Sequence, residues 1–243
     1  MCLQGIRLVT FDATNTLLKF KMVPSQYYTK MARTYGYRGS ESDAQNKMRE
    51  NFKMMWEQHP NFGRNSILWE EWWRQVVKLT LQDHLPVGAD TRSLGNTLIN
   101  DFKTSKCWDV AAGSDTLLQI IKKKGIAIGV ISNSDPRLYD ILQNLGLSKY
   151  FDFILTSYDC GFSKPDSRIF QEALLRCKEI TKASESLHIG DDLEKDYIGA
   201  RESGWHALLI SNNETKIPPA KDHVFANIDL LSIAISQNKL KLV

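Results

Sequence analysis

The sequence has few cysteines, no long apolar run and little net charge. The four cysteines among its 243 residues are widely spaced and form no C-x-x-C pair, which excludes a disulfide scaffold and favours reduced thiols. No apolar run approaches the roughly 20 residues that a membrane-spanning helix needs. The formal net charge of +3, with Lys interspersed among Asp and Glu, gives no reason to expect a nucleic-acid partner. We therefore expect a soluble protein that binds neither membranes nor nucleic acids.

The bulk composition and the start of the chain narrow the class further. With 42% hydrophobic and 24% charged residues, the chain can bury a sizeable core and is not disordered. Its length fits one domain with an insertion or two smaller domains. A strand is expected within a few residues of Met1, which leaves no room for a signal or transit peptide. The expected location is intracellular, cytoplasmic by default with an organelle left open, and the oligomeric state is not indicated.

Residues from about 22 to 105 show helical periodicity and almost no strand signal. Helix-start residues and apolar stripes predict four helices, which open near Pro24, Ser42, Ser66 and Asp90. The tryptophans of this block recur at helical spacing, which favours packing over the lining of a ligand pocket. We therefore predict an all-helical block inserted immediately after the first strand.

From about Cys107 onward, short apolar strands alternate with amphipathic helices. This alternation predicts right-handed βαβ crossovers and a parallel sheet, so the predicted fold class is α/β. The predicted domains are a discontinuous Rossmann-like core, residues 1–20 and 106–243, and a helical cap, residues 21–105. In such sheets ligands bind at the carboxyl ends of the strands, near the point where the strand order reverses.

Polar residues stand at the ends of several predicted strands and at one helix start. They are Asp12, Ser132, Asn133, Lys164, Asp191 and Asp192. Each has an ordinary structural explanation as a turn residue, a strand-end hydroxyl, a surface lysine or a helix cap. Because four such segments would face one edge of the sheet, a shared site is the better interpretation. His188 lies inside a predicted strand and is expected to be a packed core histidine.

Together these positions resemble the four motifs of the haloacid dehalogenase-like hydrolase superfamily, and the resemblance covers the whole chain. The first motif, an Asp nucleophile that ends strand one, matches Asp12, with Thr14 and Thr16 two and four residues later. The second motif, a Ser or Thr that ends a strand, matches Ser132. The third, a Lys shortly before a helix, matches Lys164. The resemblance implies catalytic positions in the first and third motifs, on a Rossmann-like core with an inserted cap.

The fourth motif is an acidic cluster after a strand, and it matches Asp191, Asp192 and Asp196. Carboxylates that lie close together in one small site raise one another's pKa unless a cation lies among them. Their hard oxygen ligands suit Mg²⁺. The resemblance implies Mg²⁺ as the cofactor, held by Asp12, by the backbone carbonyl of Thr14 and by the acidic cluster. Which of the three acidic residues bind the ion directly is left open.

A carboxylate nucleophile, a cation and a lysine at one sheet edge suit phosphoryl transfer. Asp12 would attack phosphorus in line and form an aspartyl-phosphate. Ser132, Asn133 and Lys164, with backbone N–H groups at the helix starts, would hold the phosphoryl oxygens. The expected partner is a small phosphorylated molecule, and in this family the cap selects its leaving group.

Thr14 departs from the pattern of this family. In the phosphatase members the position is a second Asp, which protonates the leaving oxygen and then activates water, whereas a Thr hydroxyl does not titrate near neutrality. General acid–base help is typically worth about 10²–10⁴-fold in rate. The sequence therefore predicts a slow or narrowly selective Mg²⁺-dependent phosphatase.

Two alternatives stay open. One is a catalytically impaired family member that retains a metal- or phosphate-binding role. The other is dehalogenase or phosphonatase chemistry, because those members also lack the second Asp. The acidic cluster argues against a dehalogenase, which works without metal, and Lys30, Lys47 and Lys53 offer no distinctive Schiff-base lysine for a phosphonatase.

Overall fold

The computed structural model of the protein describes residues 3–177, 182–212, 221–240 and 242. The chain divides into two compact units. The core unit comprises Met1–Lys19, Val110–Asn133 and Leu145–Val243, and the cap unit comprises Phe20–Asp109 and Ser134–Asn144. Across these described ranges, no helix combines the length and the apolarity needed to cross a membrane.

The strands of the described residues are β1 Leu8–Phe11, β2 Leu18–Phe20, β3 Trp108–Val110, β4 Ala127–Ser132, β5 Phe153–Thr156, β6 Ser186–Gly190, β7 His206–Ile210 and β8 Val224–Phe225. The α-helices are α1 Pro24–Arg33, α2 Glu41–Gln58, α3 Trp69–Leu81, α4 Thr91–Asp101, α5 Ser114–Lys123, α6 Arg137–Asn144, α7 Ser157–Cys160, α8 Ser167–Arg176, α9 Gly199–Glu202 and α10 Ile228–Ser236. A π-helical turn, Leu193–Ile198, leads directly into α9.

The core unit is built on a parallel sheet in the strand order β5–β4–β1–β6–β7–β8. Strand β1 lies inside this sheet, where Leu8 pairs with Ala127 of β4 on one side and with Ser186 of β6 on the other. All four residues of β1 are buried, as expected for an apolar strand that is covered on both faces. The predicted α/β class with a parallel sheet is confirmed.

One face of this sheet packs against α8. Ile169, Phe170 and Ala173 of that helix join Leu8 and Leu155 in one buried apolar cluster. The helix therefore anchors the loop that precedes it to the middle of the sheet.

The strand order reverses at β1. After β1 the chain builds β4 and β5 on one side, and it then crosses to build β6, β7 and β8 on the other. In open parallel sheets ligands bind at such a reversal, at the carboxyl ends of the strands. Asp12 directly follows β1 and so lies at this point.

The cap unit contains α1 to α4, and its helices begin near the residues that the sequence indicates. Asp90 caps α4 as predicted, since its carboxylate accepts a hydrogen bond from the N–H of Ser93 at 2.8 Å. Helix α2 begins slightly before the predicted start, because Ser40 accepts from the N–H of Asp43 at 3.0 Å. Polar side chains at these positions satisfy N–H groups that lack a partner inside the helix.

Trp72 is fully buried in the cap unit. Its indole N–H donates to the carbonyls of Met55 at 3.2 Å and His59 at 3.0 Å, so the polar atom is satisfied inside the unit. Its ring meets Phe52 and Phe62 edge-on, with centroids 5.2 and 5.4 Å apart. This tryptophan packs, as its helical spacing predicts.

The boundaries of the two units differ from the predicted ones at α6. The sequence places residues 134–144 in the core, but they belong to the cap unit. The indole N–H of Trp73 donates to Asp135 at 2.8 Å, and the guanidinium of Arg137 lies 4.2 Å from the centre of the Trp73 ring. At the other end of α6, the side-chain amide of Asn144 donates to the carbonyl of Lys103 at 2.8 Å. These long-range contacts cannot be read from the βαβ periodicity.

Candidate active site

Asp12 is held at the sheet edge by its backbone. Its N–H donates to the carbonyl of Ile189 at 2.9 Å, which extends the ladder between β1 and β6 by one residue. The following turn is closed by Leu18, whose N–H donates to the carbonyl of Ala13 at 2.9 Å. Asn15 takes a left-handed conformation in this turn, with a φ of 60°, which Asn adopts more readily than most residues. Asp12 is left only 8% exposed.

Lys164 reaches this carboxylate from the loop before α8. Its ammonium group donates to Oδ1 of Asp12 at 2.8 Å, to Oδ1 of Asp196 at 2.6 Å and to the carbonyl of Ile131 at 2.7 Å. An ammonium group has three N–H donors, so these contacts use all of them. Because Lys164 is only 3% exposed, its charge depends on the two carboxylates rather than on water.

Asn133 fixes the backbone of the loop that carries Lys164, which is called the lysine loop below. Its Oδ1 accepts from the N–H of Lys164 at 2.7 Å, and its Nδ2 donates to the carbonyl of Lys164 at 2.8 Å. The sequence places Asn133 among the phosphate-binding residues, but both ends of its amide are turned to Lys164. Its side chain therefore positions the lysine, and its part in phosphate binding stays a prediction. Ser132 ends β4 and is buried, and the role of its hydroxyl in phosphate binding stays a prediction.

Three carboxylates lie close enough to share one ion. One oxygen of each of Asp12, Asp191 and Asp196 lies within 4.8 Å of the other two, and from here on these three residues are called the acidic cluster. Gly190 permits this approach, because a Cβ at that position would lie 2.2 Å from the Asp196 carboxyl carbon. Three hard oxygen donors at this spacing fit Mg²⁺, the ion implied by the motifs.

Asp192, also predicted as a metal ligand, has a different role in the structure. Its Oδ1 accepts from the N–H groups of Glu194 at 3.1 Å and Lys195 at 2.9 Å, and its Oδ2 pairs with the ammonium of Lys195. It therefore caps the π-helical turn and, within the described residues, lies outside the acidic cluster. An Asp directly before a helical turn satisfies the first N–H groups of that turn, which explains the difference.

The acidic cluster is electrostatically strained without a further cation. Burial raises the pKa of Asp12 to about 6 against the opposing effect of Lys164, and Asp196 and Asp191 add to the rise. Burial and Asp196 also raise the pKa of Asp191. Burial acts in the same direction on Asp196, but Lys164 and His188 outweigh it and hold that pKa far below its usual range. Lys164 is the lysine that pairs with Asp12 and Asp196, and Lys19 only partly offsets the rise at Asp191, so a divalent cation complements the cluster.

The remaining motif residues lie in the turn after Asp12. Thr14 is partly exposed and forms an isolated β-bridge with Leu18. Thr16 is fully buried, and its hydroxyl has no hydrogen-bond partner among the described residues. No carboxylate stands at position 14, so the acid–base group of the phosphatase pattern is replaced by a hydroxyl.

Sequence reasoning missed two residues that contact the cluster, His188 and Asn15. His188 is fully buried as expected, but its ring joins Thr10 to Asp196, at 2.8 and 3.2 Å. Burial lowers the pKa of His188 to about 4, so the ring is neutral near neutrality. The side chain of Asn15 lowers the pKa of Asp191 and so stabilises its ionised form. The strand period could have identified His188, since it lies two residues before Gly190 and so on the same face.

Comparison with known proteins was made on sequence and on structure. A family model described as haloacid dehalogenase-like hydrolase matches residues 6–204. The chain is 36% identical over 243 residues to the Rhythmically expressed gene 2 protein of Drosophila melanogaster, covering 93% of this chain and 94% of that protein. It is 35% identical over 224 residues to Haloacid dehalogenase-like hydrolase domain-containing protein 3 of Homo sapiens, covering 90% and 87%. Its fold is similar to that of YfnB from Bacillus subtilis, solved bound to magnesium, with a TM-score of 0.73 at 19% identity over 96% of this chain and 99% of that one.

Proposed function

Because the chain belongs to the haloacid dehalogenase-like hydrolase family, we propose that it is a slow or selective Mg²⁺-dependent phosphatase that acts on a small phosphorylated molecule. The observation that carries the proposal is the buried contact of 2.8 Å between Asp12 and Lys164, with two further carboxylates beside it. A nucleophile held next to a fixed positive charge suits attack on an anionic phosphoryl group. Neither a membrane nor a nucleic acid is part of the proposal.

The reaction proceeds in two displacements at phosphorus. A carboxylate oxygen of Asp12 forms a bond to phosphorus while the bond to the leaving oxygen breaks, and the leaving oxygen takes its proton from solvent. Water then attacks the aspartyl-phosphate, releasing inorganic phosphate and regenerating Asp12. Lys164 keeps the Asp12 carboxylate ionised and in position, and the Ser132 hydroxyl donates to a phosphoryl oxygen.

Asp12, Asp191 and Asp196, together with the backbone carbonyl of Thr14, would hold Mg²⁺. When bound, the ion supplies positive charge that offsets the repulsion between the carboxylates and the phosphoryl oxygens. This acidic cluster favours phosphate chemistry over metal-independent dehalogenation.

A second function follows from one observation, the hydroxyl at Thr14. Without a carboxylate at this position, the chain can keep the metal- and phosphate-binding site while turning over too slowly to serve as an enzyme. Hydrolysis of an aryl phosphate separates the two functions, because its leaving group needs little protonation. Phosphatase function predicts turnover that stops when EDTA removes Mg²⁺. Complete inactivity combined with tight Mg²⁺ binding would favour the binding role.

Thr14→Asp is expected to raise the rate of aryl phosphate hydrolysis by about 10- to 100-fold, because it restores a group that can donate and accept a proton. The measurement is kcat at saturating Mg²⁺. Thr14→Asn is the matched control, since it has nearly the same size as Asp but does not titrate. Equal rates for the two variants would show that the missing carboxylate does not limit turnover.

Aspartyl-phosphate is expected to accumulate when the chain is incubated with acetyl phosphate and Mg²⁺. Formation of the intermediate needs only Asp12 and an activated donor, whereas its hydrolysis lacks a general base at Thr14. Intact-protein mass spectrometry should show one added phosphoryl group, which peptide mapping should place on Asp12. Thr14→Asp should discharge it faster. Turnover of acetyl phosphate without any adduct on Asp12 would contradict the covalent route.

A further inference from the structure

His188 and Thr10 lie behind the acidic cluster, inside the sheet. They face each other in the parallel pairing of β1 and β6, and both are fully buried. The hydroxyl oxygen of Thr10 is 2.8 Å from Nδ1 of His188, and Nε2 of the same ring is 3.2 Å from Oδ1 of Asp196. The imidazole thus links the centre of the sheet to a residue of the acidic cluster.

The partners of the ring determine its tautomer. An ionised carboxylate only accepts hydrogen bonds, so Nε2 of His188 carries the proton that is donated to Asp196. Nδ1 is then the acceptor in a neutral ring, and the Thr10 hydroxyl donates to it. The chain of donors therefore runs in one direction, from Thr10 through His188 to Asp196.

Asp196 passes this constraint on to the nucleophile. Its Oδ1 also accepts from the ammonium of Lys164, and its Oδ2 accepts from the N–H of Asp192 at 2.9 Å. Lys164 in turn donates to Asp12. Removing the His188 donor would leave the Asp196 carboxylate with only Lys164 and the Asp192 N–H as donors, so its orientation, and with it the position of the lysine ammonium, would be less tightly fixed.

We propose that His188, oriented by Thr10, is a positioning residue that holds the Asp196 carboxylate and, through Lys164, aligns Asp12. This inference rests on the proposed phosphatase function. The ordinary alternative is a histidine that only fills space, and His188 does contact the Phe170 ring, with centroids 5.4 Å apart. The two roles differ in one respect: positioning requires the Nε2 proton, whereas packing requires only the volume.

A matched pair of variants separates these roles. His188→Leu keeps an apolar group of similar size and removes the donor, while His188→Gln can place an amide N–H near the Nε2 position. We expect His188→Leu to lower kcat for an aryl phosphate by about 10- to 100-fold with little change in KM, and to weaken Mg²⁺ binding by a similar factor. His188→Gln should restore both. His206→Leu, on the neighbouring strand β7, is the control and should match the wild type.

Titration calorimetry with MgCl₂ alone gives a readout that is independent of turnover. Equal kcat and equal Mg²⁺ affinity for His188→Leu and the wild type would overturn the inference, as would equal losses in His188→Leu and His188→Gln. If His188→Leu does not fold, a second pair of variants at Thr10 tests the inference. Thr10→Val removes the hydroxyl and should weaken Mg²⁺ binding, whereas Thr10→Ser keeps the hydroxyl and should not. Equal Mg²⁺ affinities of these two variants would overturn the inference. A wild-type chain that binds no Mg²⁺ overturns it together with the metal site. A wild-type chain that binds Mg²⁺ but hydrolyses no phosphate ester overturns the phosphatase function alone, because the effect of His188→Leu on Mg²⁺ binding can still be measured.

Discussion

Asp12→Asn is expected to abolish hydrolysis of an aryl phosphate, with a fall in kcat on the order of 10⁴-fold or more, the scale seen when a covalent nucleophile is removed. The Asn side chain has nearly the shape of Asp, and its Oδ1 can still accept the hydrogen bond from Lys164. Its amide is not nucleophilic and cannot form the aspartyl-phosphate. The expected loss is therefore chemical rather than structural, and KM should change far less than kcat.

The measurement is the rate at saturating Mg²⁺, combined with a thermal melt to confirm folding. Asp166→Asn is the matched control, because Asp166 caps α8 and Asn caps helices equally well. Asp166 lies two residues from Lys164 along the chain, so a nonspecific effect of removing one negative charge near the loop would appear in both variants. If Asp12→Asn keeps the wild-type rate, Asp12 is not the nucleophile.

The fold could be predicted from the sequence because its signals are local. Apolar strands of four to six residues, separated by amphipathic helices, determine a parallel sheet through the handedness of the crossovers. The placement of α6 could not be predicted in this way. It depends on the contacts of Asp135 and Arg137 with Trp73, which is more than 60 residues away in the chain. Periodicity describes the element but not the unit on which it packs.

The sequence predicts which segments of the chain form the candidate site, but not how each side chain is oriented there. Strand ends meet at one edge of a parallel sheet, so Asp12, Lys164 and Asp191 are expected near one another. The sequence alone does not show whether a polar side chain at that edge points into the candidate site or hydrogen-bonds the loop that carries it. The side chain of Asn133 accepts from the backbone N–H of Lys164, and that of Asp192 accepts from the backbone N–H of Lys195. Both side chains thus satisfy backbone groups of their own surroundings, which need a hydrogen-bond partner when buried.

Lys164→Met is expected to destabilise the metal-free protein by about 3–5 kcal/mol, the usual cost of removing one partner of a buried ion pair. Methionine retains most of the volume of the lysine stem, but Asp12, Asp196 and the carbonyl of Ile131 each lose a donor. Hydrolysis should be lost as well. Mg²⁺ should return part of the stability, since a ligand present at 100 times its Kd adds about 2.7 kcal/mol to the folded state.

The deficit of Lys164→Met in EDTA should also depend on pH. Lys164 lowers the pKa of Asp12 and Asp196, so its removal raises both above their values in the wild-type fold. A carboxyl group whose pKa is higher in the folded than in the unfolded state binds more protons when folded, and stability then falls as pH rises through that interval. The deficit should therefore be smaller at pH 4 than at pH 8, and largest above the raised pKa values.

Chemical denaturation in EDTA across this pH range measures the effect, with Lys195→Met as the matched control. Lys195 pairs with Asp192, but this ion pair is exposed to solvent. Removing the Lys195 ammonium should therefore lower the free energy of unfolding by no more than about 1 kcal/mol at any pH. Equal stability of the two variants in EDTA at pH 8 would mean that the Lys164 ammonium does not hold the cluster together. A deficit that Mg²⁺ fails to reduce would mean that the carboxylates freed by the substitution do not take up the ion, and the metal site would then have to be assigned elsewhere.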